Sequence, residues 1–400
     1  MVSVCFYFQV HQPMRLRKYS VFEIGHHNNY FDDKKNEEII RKIADKCYLP
    51  ANRTILDLIN KTDGKFKAAY SLTGVLIEQL EKHTPEVIDS FKDLVRTGCV
   101  EILDETQYHT LSFLFSRDEF KEQVEMHRKK IKDLFNFTPK IFRNTELIYS
   151  NELAAFVEKM GYRGILAEGA DKILEWRSPY FPYRPKGTNN IKLLLKDYRL
   201  SDDIAFRFSE KSWPEYPLTA QKYAHWISKI NGSGNLVNLF MDYETFGEHQ
   251  WEDKGIFEFL KHLPFELFRH PDNDFVTPSE AIERYDSVAE LDFPYYVSWA
   301  DVERDLSAWL GNKMQQEAFR EIYVLEQAVK STNNPELTDE WRKLQTSDHF
   351  YYMCTKWFND GDVHKYFNPY ESPYEAFITY MNILNDFRIK SHKLSKVVAR

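Results

Sequence analysis

Short apolar runs alternate with longer stretches of helical periodicity over the first 290 residues of the chain. Residues 2–8 are rich in β-formers. Comparable runs recur at 66–71, 99–103, 140–143, 164–167, 191–195, 204–208 and 236–241, with a shorter one near Phe275-Val276. Runs of this length bounded by turn and cap residues predict buried strands. Between them, apolar residues recur at helical spacing over 37–47, 49–60, 73–82, 85–97, 116–135, 219–230, 256–263 and 278–285, and in a helix capped by Asn151. Ser116 with Glu119 forms a capping box, while Gly98 and Gly161 sit where left-handed C-terminal caps belong. Strand followed by helix repeats about seven times with connections too long for hairpins, which predicts parallel strands joined by helical crossovers.

After residue 290 the strand-like runs stop. Segments 302–308, 313–330, 336–344 and 373–394 read as helices, so a domain change is placed in Asp292-Phe-Pro-Tyr-Tyr296. The expected division is an α/β domain over 1–290 and a helical domain over 291–400. One stretch, 168–190, has no periodicity and carries Trp176, Tyr180, Phe181 and Tyr183 among Pro179, Pro182 and Pro185. Long structureless loops in compact domains are often functional. A sugar-stacking wall and a lid packed on its own side chains fit that composition equally.

Composition narrows the function class. Of the 400 residues 43% are hydrophobic and 16% aromatic, enough for a substantial core. A net charge of −8 with no basic stripe argues against a nucleic-acid partner. Residues 2–10 lack a basic leader and are interrupted by Ser3 and Gln9, and no run is long and apolar enough for a membrane span. Cys5, Cys47, Cys99 and Cys354 lie far apart without a C-x-x-C pair. A disulfide framework or zinc knuckle is therefore not expected, and a cytoplasmic location is.

The candidate chemistry gathers at strand ends. Run 2–8 leads to His11, 99–103 holds Glu101 and ends at Asp104, 140–143 delivers Glu146, and 236–241 ends in Asp242 and Glu244. In parallel α/β sheets the carboxyl ends of the strands face the ligand. Paired carboxyl groups at that edge suit glycoside cleavage, in which one must be ionised to attack the anomeric carbon and the other protonated to release the leaving oxygen.

Four segments in order carry a family resemblance: His11-Gln12-Pro13, Gly98-Cys-Val-Glu101, Asn144-Thr-Glu-Leu-Ile148 and Asp242-Tyr-Glu-Thr-Phe-Gly247. A weaker fifth is Ala300-Asp-Val-Glu-Arg-Asp305 with Trp309-Leu-Gly-Asn312. The chain resembles glycoside hydrolase family 57, the α-glucan-active enzymes that include α-amylases and 4-α-glucanotransferases. Its Arg143-Asn-Thr-Glu146 is closer to the α-amylase-like members than to the Trp-Leu-x-Glu of many others.

The resemblance implies an incomplete parallel (β/α)7 barrel, a distorted TIM-like fold, followed by a C-terminal helical bundle. It implies Glu146 as nucleophile and Asp242 as general acid/base of a retaining enzyme acting on α-1,4-linked glucans. His11, Glu101 and Glu244 would line the substrate cleft, with Asp305 and Trp309 as further substrate contacts. No cofactor or metal is implied. Structural readings stand beside these: Glu101 as a buried hydrogen-bond acceptor, His11 as a satisfied core histidine, Glu244 as a loop brace, Asp305 and Trp309 as ordinary helix residues. A metal-dependent deacetylase on a similar barrel would need a spaced histidine pair, which His26-His27, His262 and His270 do not supply.

Overall fold

The computed structural model describes residues 1–26, 29–356 and 368–398, with side chains described through residue 394. His27 of the sequence reading lies outside these residues. Seven parallel strands set the frame: β1 (Val2–Val10), β2 (Ala68–Leu72), β3 (Val100–Ile102), β4 (Ile141–Phe142), β5 (Gly164–Glu168), β6 (Lys192–Lys196) and β7 (Leu236–Asp242). One sheet runs β3-β2-β1-β7 and the other β4-β5-β6. In register, Tyr7 lies beside Ala69 and Phe240, and Gln9 beside Ser71 and Asp242.

The two sheets meet at two thin seams. At one, Asp104 donates its N–H to the Ile141 carbonyl (3.0 Å) and accepts from the Arg143 N–H (2.9 Å). At the other, the Asp197 N–H reaches the Asn238 carbonyl and the Asn238 amide reaches the Leu195 carbonyl, both at 2.9 Å. The strands thus follow one another around a ring whose ladder is nearly interrupted twice. Asp104 reinforces its seam from outside, where its carboxylate binds His127 Nδ1 (2.5 Å), Arg128 Nε (3.2 Å) and the Tyr162 hydroxyl.

Alternation along β1 explains why its run reads as continuously apolar. Val2, Val4, Phe6, Phe8 and Val10 pack outward on the helices, while Cys5 and Tyr7 face an interior shared with Ala69, Leu103, Ile141, Leu166, Leu194 and Phe240. A strand covered on both faces has no polar side to show. The short strand Asn273–Phe275 joins β1 near its start, and the helix Pro278–Arg284 follows. Val276, Ala281 and Ile282 fill the interior at that end, so the barrel is packed where the strands begin.

Three sequence expectations are corrected. Residues 204–208 are not a strand: Tyr198–Ala205 is a helix, capped by Asp197 accepting the Leu200 N–H at 3.0 Å, with Leu200, Ser201 and Ile204 buried at helical spacing. The apolar run there was too short to reveal its period. Residues 302–308 are not one helix, because Asp301 and Arg304 take left-handed φ values of 55° and 50° and only Ser307–Leu310 turns helical. Ser150, not Asn151, caps the helix Asn151–Lys159, accepting the Leu153 N–H at 3.3 Å.

Beyond Glu290–Leu291, a two-residue strand paired with Arg184–Pro185, the described chain is helical. Its core gathers Trp309, Trp341, Phe350, Tyr380 and Phe387. A buried charge cluster ties it to the barrel: Glu119, on the helix Arg117–Phe135, meets Arg342 through two bonds (2.7 and 3.0 Å) and Lys330 at 2.8 Å. The four cysteines are all buried. No helix among the described residues is long and apolar enough to cross a membrane.

Candidate active site

Glu146 is presented by a tight turn that β4 feeds directly. Asn144 braces it by donating its side-chain amide to the Ile148 carbonyl (2.9 Å), and Thr145 Oγ1 lies 3.1 Å from Thr106 Oγ1. Glu146 and Leu147 both take left-handed φ, 57° and 50°. Each such non-glycine residue costs about 1–3 kcal/mol and persists only where its surroundings enforce it. The strain aims the carboxylate at the open end of the barrel, where its side chain is 21% exposed.

Two donors hold that carboxylate. His109 Nε2 lies 3.1 Å from Oε1, and Trp299 Nε1–H donates to Oε2 at 2.8 Å. His109 Nδ1 meets Glu105 Oε2 at 2.8 Å, while Gln9 donates to Glu105 Oε1 at 3.0 Å. Burial disfavours the imidazolium, but Glu105 and Glu146 outweigh it and raise His109 to about 9. Burial likewise works against ionised Glu146 and Glu105. The His109 bond and charge, with Arg143 beyond, overcome it and leave Glu146 below the ordinary carboxylate value and Glu105 at about 2.

Asp242, the last residue of β7, has the opposite environment. Its carboxyl has no hydrogen-bond partner among the described residues. Burial and the charge of Glu146 push it up to about 7, against the opposing pull of Arg143, Lys196 and His109. One acid is therefore poised ionised and its neighbour poised protonated. Such a split in protonation equips a nucleophile and a proton donor.

The cations sit around Trp299. Arg143 is fully buried, its guanidinium 4.9 Å from the indole centroid, and its three nitrogens have no hydrogen-bond partner among the described residues. The Lys196 Nζ lies 5.4 Å from the same ring and reaches Asp202 at 3.2 Å and Glu168 at 3.5 Å. Gly169 must be small, because a Cβ there would fall 2.3 Å from the Lys196 carbonyl.

Of the other residues singled out in the sequence, His11 joins this group. Its ring stacks on His109 at 4.0 Å, its Nε2 meets Asp348 Oδ2 and its Nδ1 meets Thr73 Oγ1, both at 2.9 Å. Glu244 lies just past Asp242, accepting from the Tyr48 hydroxyl (2.5 Å) and the Gln12 amide (3.4 Å). Burial and Asp242 raise it to about 8. Glu101 is not brought to the cluster: its carboxylate takes the Ser279 N–H (2.8 Å) and hydroxyl (2.5 Å) at the start of the helix that plugs the barrel. Asp305 accepts the Ser307 N–H at 2.8 Å, just ahead of the short helix Ser307–Leu310. Trp309 is 1% exposed within the helical core, 6.2 Å from Tyr351 between ring centroids.

The sequence reading passed over Glu105, His109, Arg143, Trp299 and Asp348. Trp299 precedes by one residue the weak segment quoted from Ala300, and the four-residue spacing of Glu105 and His109 was the available sign of that pair. Among the described residues no three His, Cys, Asp or Glu side chains are arranged to hold a metal ion.

Residues 5–295 match the model of the family described as "Glycosyl hydrolase family 57". The chain is 46% identical to a protein of Methanocaldococcus jannaschii named "Putative alpha-amylase", over 96% of this chain and 84% of that one. It is 26% identical to an alpha-amylase of Pyrococcus furiosus over 52% of this chain but only 30% of that protein. Among solved structures, a branching enzyme from Thermococcus kodakaraensis aligns with a TM-score of 0.69 at 16% identity, covering 98% of this chain and 90% of that one. A 4-alpha-glucanotransferase from Thermococcus litoralis aligns at 0.65 and 17% identity, covering 87% of this chain and 56% of that one. At those identities the structures share the fold. The family match and the Methanocaldococcus relative carry more: this chain belongs to glycosyl hydrolase family 57.

Proposed function

We propose that the protein is a retaining glycosidase that cleaves α-1,4-glucosidic bonds of starch, glycogen or maltodextrins. Glu146 attacks the anomeric carbon while the bond to the glycosidic oxygen breaks and Asp242 protonates that oxygen. Water then attacks the glycosyl-enzyme, giving its proton to Asp242 as the ester bond returns its electron pair to Glu146. The observation that carries this reading is the opposed state of the two neighbouring carboxyls. Glu146 has a donor on each oxygen and is held below the ordinary value, while Asp242 has no donor among the described residues and is raised to about 7. The α-amylase name of the Methanocaldococcus relative supports the substrate class.

Incubation with maltoheptaose tests both the substrate and the acceptor. Shorter products with none longer than the substrate are expected; a ladder extending above it would replace hydrolysis with 4-α-glucan transfer by the same two residues. Glu146→Ala is expected to abolish turnover with the circular-dichroism spectrum unchanged. Near-normal activity in that variant would end the assignment.

A further inference from the structure

Two carboxylate–imidazole pairs stand face to face beside Glu146, and they come from three different parts of the chain. Glu105 and His109 follow β3, His11 follows β1, and Asp348 belongs to the helix Ser347–Tyr351 of the helical region. His109 itself takes a left-handed φ of 53°, which its bonds to Glu105 and Glu146 hold in place. An imidazole with a carboxylate oxygen at each nitrogen satisfies both only as the doubly protonated cation, since the neutral ring has a single N–H. The stacked His11 is built for the other state. Thr73 Oγ1 accepts the Leu76 N–H, so its own proton is free for His11 Nδ1, leaving the His11 Nε2–H for Asp348.

We propose that His109 is a positioning residue carrying a fixed positive charge, clamped between Glu105 and Glu146 so that Glu146 is oriented as a carboxylate before attack and received as one when the sugar leaves. This rests on reading Glu146 as the nucleophile. His109 keeps its proton throughout: the anomeric carbon exchanges its bond between the glycosidic oxygen and Glu146, and the protons that move are the one Asp242 gives to the glycosidic oxygen and the one it later takes from water. Each oxygen of Glu146 retains a second lone pair after binding its donor, so attack does not require the clamp to open.

The charges facing His109 agree with that role. They are Glu105 on its own loop, Glu146 and Arg143 from the β4 end, His11 from the β1 end, Asp348 from the helical region, Asp242 from β7, and His127 behind Glu105. Burial and the His109 charge lower His11 despite Asp348, so the stack holds one cation and not two.

His109→Gln keeps an N–H donor toward Glu146 and removes the charge. An opposite charge at this range moves a carboxyl by about 1–3 pH units. The acidic limb of kcat/KM is therefore expected to rise by about that much, and the alkaline limb to rise with it because His109 also lowers Asp242. A merely structural histidine would lower the profile without moving it, and that result overturns the proposal. The wild-type protein gives a check that needs no variant: 15N spectra at pH 7 should show both His109 nitrogens protonated, and a neutral ring refutes the assignment. Labelling with a 5-fluoro glycosyl fluoride separates this failure from that of the nucleophile. Label on a residue other than Glu146 sinks the parent reading, whereas label on Glu146 with unmoved limbs sinks only the role of His109.

Discussion

Trp299 offers a measurement of how much a neutral donor contributes beside that charge. Trp299→Phe removes the Nε1–H that reaches Glu146 Oε2 at 2.8 Å and leaves an aromatic face for Arg143 (4.9 Å) and Lys196 (5.4 Å). A hydrogen bond to a charged group contributes about 1.5–3 kcal/mol. The carboxylate is consumed during attack and regenerated as the sugar departs, so the donor helps chiefly the second step. With charge about half developed in that transition state, about half the bond is felt, a fall of about 4- to 13-fold in deglycosylation. An activated substrate such as α-maltosyl fluoride makes the second step limiting, and kcat then reports it directly. The expected result is a kcat lowered within that range, with a rapid burst of fluoride release. A kcat within about twofold of the wild type, or a loss confined to kcat/KM, would refute the assignment of Trp299 to the departing carboxylate.

Two further outcomes follow from the same coordinates. Activity needs Asp242 protonated and Glu146 ionised, so kcat/KM should fall as pH rises through about 7 and fall again only below the ordinary carboxylate range; a maltooligosaccharide pH profile with no alkaline limb near 7 would contradict it. Glu119→Gln leaves Arg342 and Lys330 with only the more exposed Glu122 and Glu326, and should destabilise the fold by about 3 kcal/mol in urea unfolding, toward the lower end of broken buried pairs.

Much of the frame was legible because strand and helix alternate with different periods. β1 and β7 read directly as buried runs, whereas the helix Tyr198–Ala205 was mistaken because three apolar residues in a row carry no period and its cap, Asp197, lies well before them. The proposed catalytic pair was legible for a different reason: both acids follow apolar runs and lie in segments that carry the family resemblance, which is what implies their roles. Glu101 shares that signature but lies within β3, toward the plugged end, where its partner is Ser279. Asp348 was hidden because its contact with His11 spans 337 positions, and nothing in the helical periodicity around it marks one residue as facing the barrel. Sequence spacing finds residues that one element delivers; it is blind to those that a separate layer lowers onto the site.

The two acids differ because their partners differ. Glu146 and Glu105 are both lowered by His109, itself raised to about 9, and by the buried Arg143. Asp242 lacks such hydrogen-bond partners among the described residues, and burial first, then the charge of Glu146, raises it to about 7. Taking away either cation raises Glu146, and Arg143 is the sharper case because its nitrogens have no hydrogen-bond partner among the described residues. Its influence is one of charge placed beneath the pair and not of a bond to either. The helical region contributes through Trp299 and Asp348, so the state of the nucleophile depends on residues that the barrel strands do not carry.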